Sequence, residues 1–239
     1  MNLLLFAASE LDGTTLTVRD RRLRHLREVL GSQPGDALRV GQFNGPTGTA
    51  EVLAIGDDEA RLTVRLDAPA PPPLPLIVVL ALPRPKMLRR ILRTVAETGV
   101  KELHLIHSYR VEKSYWQSPL LTAEHRDEAL VAGLEQGMDT VLPAVTLHHR
   151  FRPFAEDTLP GLCRDRVALL ADHRATRAYP AACSDSATVV IGPEGGFIPF
   201  ERELIVAAGA RSVGLGSRSL RVETALACCL GRHLAPDRD

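Results

Sequence analysis

Between Ala68 and Pro75 the chain reads APAPPPLP, with four prolines inside five consecutive positions. A run of that kind lacks the backbone N–H groups needed to continue a helix or a sheet ladder, and it stiffens the chain locally. The rhythm of apolar residues changes across it, which makes it a domain boundary. The sequence therefore predicts two domains, residues 1–70 and residues 71–239, and the length of 239 residues accommodates both.

Ahead of the prolines, short alternating stretches are separated by turn signals. Thr14–Val18, Ala37–Phe43, Gly48–Ile55 and Ala60–Leu66 alternate, and Pro34-Gly35-Asp36, Asn44-Gly45-Pro46 and Gly56-Asp57-Asp58 punctuate them. Arg21–Leu30 interrupts with helical spacing of Leu23, Leu26 and Leu30. The reading is a small β-barrel carrying one helix.

Behind the prolines, Leu76–Leu82 is continuously apolar, as in a strand buried on both faces. Helical patterns at Met87–Thr98, Ala123–Gln136, Pro199–Ala208 and Arg221–Leu234 alternate with strand patterns at Glu102–His107, Arg166–Ala171, Ala187–Ile191 and Ser212–Leu215. Strands and helices in alternation imply an α/β domain whose parallel sheet is covered on both sides.

Charge excludes one class of partner-binding by bulk attraction, because the formal net charge is zero. The basic residues are nonetheless uneven. Only Lys86, Lys101 and Lys113 are lysines; the rest of the 29 are arginines. Arginine suits planar recognition of phosphates and bases, although a codon bias produces the same composition. Two clusters stand out as RNA-contact candidates: Arg22, Arg24, His25 and Arg27, with Arg19 and Arg21 beside them, and Lys86, Arg89 and Arg90, with Arg84 and Arg93. Within residues 1–72, five of eight basic residues fall in Arg19–Arg27, a concentration that favours a phosphate-binding patch over a solvated helix face.

Cys163, Cys183, Cys228 and Cys229 form no CxxC pair, and the eight histidines show no metal-ligand spacing, so free thiols and no metal are expected. The N-terminal MNLLLFAASELDG has no basic residue ahead of its short apolar run and reads as a strand. No apolar run approaches the roughly 20 residues of a membrane span. A soluble, cytoplasmic protein is the expectation.

Two segments carry the chemistry. In Thr188–Phe197, TVVIGPEGGF, a buried strand enters a loop with three glycines and then a helix. Ligands of parallel sheets sit beyond the carboxyl ends of strands in such loops, where glycine allows close backbone approach. The loop lacks the lysine and hydroxyl of a phosphate loop and the spacing of a dinucleotide fingerprint. Glu194 would repel a pyrophosphate but not a cationic centre. In Val213–Ala227, VGLGSRSLRVETALA, a second strand ends in a glycine loop and enters a helix. Arg221 stands near that helix start, where the helix dipole does not favour a cation. A charge-neutralising role there competes with simple pairing to Glu223 or Glu201.

IGPEGGF followed by LGSRSLRVETA resembles the C-terminal signature of the RsmE family, bacterial 16S rRNA (uracil N3) methyltransferases of the SPOUT class. RHLREVLGSQPGD at Arg24–Asp36, LALPRPKMLRRILRTVAETGV at Leu80–Val100 and the stretch Leu134–Pro143 are similar to other family segments, in the same order. The resemblance implies a PUA-like, RNA-binding N-terminal barrel and a SPOUT α/β domain with a trefoil knot, working as a homodimer on 16S rRNA or the small ribosomal subunit. It implies S-adenosylmethionine as cofactor, held by Leu170, by Ile191, Gly192, Pro193, Gly195 and Gly196, and by Leu215, Gly216, Ser219, Leu220 and Thr224. A uracil base is then methylated at N3 after flipping, with Arg221 stabilising the developing negative charge and Glu194 or Glu223 orienting it or taking the proton. The chain departs from the family pattern at Gly31, Thr94, Thr98, Asp139 and Ser219. The first four departures lie away from the cofactor loops and keep open an alternative: a weak or inactive RNA-binding assembly factor with the same fold.

Overall fold

The computed structural model describes residues 2–182 and 185–234, so Cys183 of the four thiols lies outside it. The chain divides into two compact units, Met1–Pro72 with Val131–Leu142, and Pro73–Leu130 with Pro143–Asp239. Residues 131–142, placed by the proline boundary with the second domain, thus group with the first unit.

In the first unit β1 (Leu4–Phe6), β2 (Leu11–Asp12), β3 (Thr15–Val18), β4 (Ala37–Gln42), β5 (Thr47–Ile55) and β6 (Ala60–Ala68) form one sheet in the order β1-β4-β5-β6-β3-β2. Only β1 and β4 run parallel. The alternation read from the sequence faces inward at Leu16, Val18, Val40, Val52 and Leu62, which pack with Phe6, Leu23 and Leu26 in one apolar cluster. The helical segment starts at α1 (Arg21–Arg24), where the Asp20 carboxylate accepts a hydrogen bond from the Arg22 N–H. It widens into a π-helical turn, His25–Val29. The chain leaves that turn through Gly31 at φ +62°, a conformation that favours glycine. Residues 131–142 close the unit: the Glu135 carboxylate accepts two hydrogen bonds from Arg21 (3.0 and 2.6 Å), and the Thr140 hydroxyl donates to the Gly45 carbonyl at 2.7 Å.

The second unit is built on a fully parallel sheet of β7 (Leu74–Ala81), β8 (Val100–Ile106), β9 (Ala144–His148), β10 (Val167–Ala171), β11 (Ala187–Ile191) and β12 (Arg211–Val213), ordered β12-β10-β11-β7-β8-β9. Every residue of β11 is buried, as is β7 from Leu76 onward, which explains their unbroken apolar runs. The helices are α2 (Pro85–Glu97), α3 (Ala123–Gly137), which ends in the first unit, α4 (Phe151–Pro153), α5 (Leu159–Cys163), α6 (Pro199–Ala207) and α7 (Val222–His233). Proline occupies the first position of α2 and α6, where its missing N–H costs no helical bond. α2 buries Leu88, Ile91, Leu92 and Val95, each contributing on the order of 2 kcal/mol by leaving water. It packs with α7 over the central strands. Among the described residues no helix is long and apolar enough to cross a membrane.

One expected RNA contact is a structural strut instead. Arg22 is 8% exposed. Its guanidinium donates to Glu10 (2.5 Å), Asp20 (2.9 Å) and the Leu5 carbonyl (2.8 Å). The hydrogen bond from Arg22 holds the Glu10 carboxyl below its usual range; for Asp20 burial works the other way but the bonds from Arg22 prevail. Both depressed carboxyls stabilise the fold above their unfolded values, and that contribution is lost as pH falls through the folded ones. Replacing Arg22 by Met leaves two partly exposed carboxylates without their cation. The substitution should cost about 2–3 kcal/mol in urea unfolding at neutral pH. It should also flatten the loss of stability between about pH 5 and about pH 3. A variant within about 0.5 kcal/mol of the parent would remove the strut from the explanation.

Candidate functional site

Strand β10 pairs with β11 on one side and β12 on the other, and the registers put Ala171, Ile191 and Val213 level with one another. Three chain segments therefore leave the sheet side by side at its carboxyl edge. Between them lies a cavity. From the first glycine loop and its neighbours Leu170, Ile191, Gly192, Pro193, Glu194 and Gly196 line it. From the second come Leu215, Gly216, Ser219 and Leu220.

The glycines have separable reasons. A Cβ on Gly192 would press on the Phe197 ring at 3.1 Å, so glycine lets that ring close over the strand end. Gly196 (φ +70°) and Gly216 (φ +123°) adopt conformations that side chains rarely tolerate. Gly195, expected to hold cofactor, faces elsewhere: its carbonyl accepts from the Arg110 guanidinium, and a Cβ there would meet Arg110 Cδ at 2.9 Å. Glu201, only 3% exposed, ties the same region together. One of its oxygens accepts from the Tyr109 N–H (2.7 Å) and the other from the Ile198 N–H at the start of α6 (3.1 Å).

The expected catalytic residues separate. Glu194 reaches the cavity, with Arg84 Nε 3.6 Å from its carboxylate. Arg221 stands at the N-cap position of α7 with an exposed side chain that makes no capping bond, and Glu223 and Thr224 follow it; none of these three lines the cavity, whereas Val222 and Ala225 do. Sequence reasoning missed a charged wall made of Asp172, His173, Arg174, Arg202 and Arg218. The first three follow directly on β10, so the carboxyl-end rule that found Gly192 could have found them. Nothing local distinguishes Arg202.

The RNA candidates also divide. Arg24 is exposed; Arg27 pairs with Asp57 at 2.7 Å. His25 is half-buried, and burial pulls its pKa down. Arg19 and Arg21, beside the cluster, pair with Glu59 and Glu135. On α2, Lys86, Arg90 and Arg93 recur every three to four residues on an exposed face, while Arg89 lies 3.4 Å from Glu128. The departures from the family pattern have local partners: the Thr98 hydroxyl donates to the Thr94 carbonyl (2.7 Å), and the buried Asp139 carboxylate accepts from the Val141 N–H (2.9 Å). No group of His, Cys, Asp and Glu among the described residues could hold a metal ion.

Residues 70–234 match a family model described as an RNA methyltransferase domain. Ribosomal RNA small subunit methyltransferase E of Treponema pallidum is 34% identical over 232 residues, covering 94% of this chain and 87% of that protein. The chain belongs to the ribosomal RNA small subunit methyltransferase E family. Solved structures share its fold. That of the Neisseria gonorrhoeae methyltransferase E bound to S-adenosyl methionine has a TM-score of 0.72 at 20% identity, covering 96% of this chain and 95% of that one. A probable rRNA methyltransferase of Porphyromonas gingivalis has 0.71 at 24% identity, covering 95% and 94%. The family's α/β fold is thus present, with its parallel sheet and its separate, mostly antiparallel sheet.

Where the segment after β10 passes the end of β12, the fit is tight. Gly214 donates to the Arg177 carbonyl (2.8 Å) and accepts from the Tyr179 N–H (2.9 Å), and a Cβ on it would meet the Ala175 carbonyl at 2.9 Å. Gly214→Ala should therefore lower the stability of the second unit by about 1–3 kcal/mol, measured by chemical unfolding. An unchanged midpoint would show that the segment yields freely.

Proposed function

We propose that this chain transfers a methyl group from S-adenosylmethionine to N3 of a uracil in 16S rRNA of the small ribosomal subunit. The observation that carries the reading is the cavity at the carboxyl edge of the sheet, where both glycine loops meet. Its walls suit that donor. Leu170, Ile191, Leu215, Leu220 and Val222 offer apolar surface to an adenosyl group, glycines leave room for backbone contact, and Asp172 and Glu194 tolerate a cationic sulfur. When bound, the donor supplies a methyl group on a sulfonium leaving centre.

The chain's own groups then have defined tasks. A uracil flipped toward the cavity loses its N3 proton as the methyl arrives, so negative charge develops on the ring oxygens. Arg218, at the cavity wall, and Arg221, three residues on, are the cations of the second loop available to meet that charge. Glu194 is a carboxylate at the wall that can accept the proton through water or orient an arginine; Glu223 would act only from α7. Lys86, Arg90 and Arg93 on α2, and Arg24 on the first unit, supply phosphate contacts. The first unit is read as a PUA-like RNA-binding barrel. The feature that supports a trefoil knot is the close contact of residues 175–179 with Gly214. Exposed Phe200 and Val206 on α6 supply apolar surface for a homodimer. An rRNA substrate places the protein in the cytoplasm.

The test is methyl transfer to small subunits from cells lacking the modification, followed by nucleoside analysis. N3-methyluridine in 16S rRNA is the expected product. Another methylated nucleoside would change the target, and donor binding without transfer would favour the assembly-factor reading. Arg218→Ala and Arg221→Ala should each reduce kcat by about 100-fold or more, with donor affinity for the Arg221 variant unchanged. If Arg221→Ala methylates normally while Arg218→Ala does not, the role belongs to Arg218 alone.

A further inference from the structure

The charged wall of the cavity holds an ion pair in which Arg202 has no task in the methyl-transfer reading. Asp172 Oδ2 and Arg202 Nε lie 2.8 Å apart, with side-chain exposures of 9% and 32%. Both atoms are buried, yet neither makes an aligned hydrogen bond. The second Asp172 oxygen accepts from the Arg174 N–H at 3.0 Å and lies 3.9 Å from His173 Nδ1. The carboxylate is thus fixed in place by its own turn, with one oxygen left to a poorly directed contact. A buried charge pair of this kind stabilises a fold only weakly, because desolvation offsets most of its attraction. Its position on the cavity points to recognition.

We propose that Asp172 and Arg202 form the subsite for a zwitterionic α-amino-acid group, the end of the methyl donor remote from the adenine. The proposal rests on reading the cavity as the donor site. An ammonium group meets the Asp172 carboxylate by displacing its poorly directed contact with Arg202, and a carboxylate meets the Arg202 guanidinium so released, whose planar fork suits it. A phosphate is the rival occupant for a wall that also carries Arg174 and Arg218. The fixed Asp172 carboxylate repels a phosphate, whereas an amino acid uses both signs.

Two ligands separate the two ends of the donor. S-adenosylhomocysteine carries the amino acid; 5′-methylthioadenosine keeps the adenosyl thioether and lacks it. Titration calorimetry on the full chain should show the wild type binding S-adenosylhomocysteine at least about tenfold more tightly. Arg202→Ala should weaken S-adenosylhomocysteine by about 10- to 100-fold and leave methylthioadenosine within about twofold. Arg202→Lys should recover part of the loss, and Asp172→Asn should lower the same preference. A thermal unfolding curve for each variant reports whether it folds, and the lysine variant carries the test if the alanine one does not. Equal loss for both ligands, or no loss for either, overturns the subsite. If the wild type binds neither ligand, the donor reading itself fails.

Discussion

The second unit depends on one alignment: β10 lies between β11 and β12 and ends level with both. Parallel strands carry their hydrogen bonds in even register, so the three exits at Asp172, Gly192 and Gly214 are set by sheet pairing rather than by loop sequence. Loops leaving from one row must share the space beyond the sheet. Two of them are rich in glycine and the third begins with a carboxylate, so the shared space becomes a cavity with an apolar side and a charged side.

That arrangement also shows what the sequence could and could not disclose. Strands buried on both faces, such as β7 and β11, announced themselves as apolar runs, and the helices after them by their spacing and by proline at the first position. β9 (Ala144–His148) escaped notice because it is an edge strand of only partly buried residues. The helical stretch from Phe151 to Cys163 was hidden by Pro153, Pro160 and Gly161; Pro153 stands just ahead of a π-helical turn at Phe154–Thr158, and Pro160 sits in the first turn of α5, where its missing N–H costs no helical bond. The glycine loops were legible because glycine reports backbone demands. The charged wall was not, because Arg202 reaches the cavity only through the fold that brings α6 beside the exit of β10.

Arginine illustrates the same limit. In the cluster at residues 19–27, sequence density suggested one phosphate-binding patch. In the structure Arg19, Arg21, Arg22 and Arg27 each have an acidic partner within the first unit. Much of that positive charge is therefore committed to holding the first unit's sheet and its helix, and Arg22 is buried while doing so. On α2, by contrast, the helical repeat sets Lys86, Arg90 and Arg93 on one exposed face. Counting charges cannot tell these situations apart, since what matters is whether a carboxylate from a distant strand or helix arrives beside each guanidinium.

The central claim is that the exits of β10, β11 and β12 together form the methyl donor's site. A crystal structure of the chain with S-adenosylhomocysteine tests it most directly. The adenosyl group should lie between Gly192 and Leu220, bounded by Leu170 and Leu215, with the sheet unchanged beneath it. Density for the nucleoside anywhere else, or a cavity left vacant beside a saturating concentration of ligand, would contradict it.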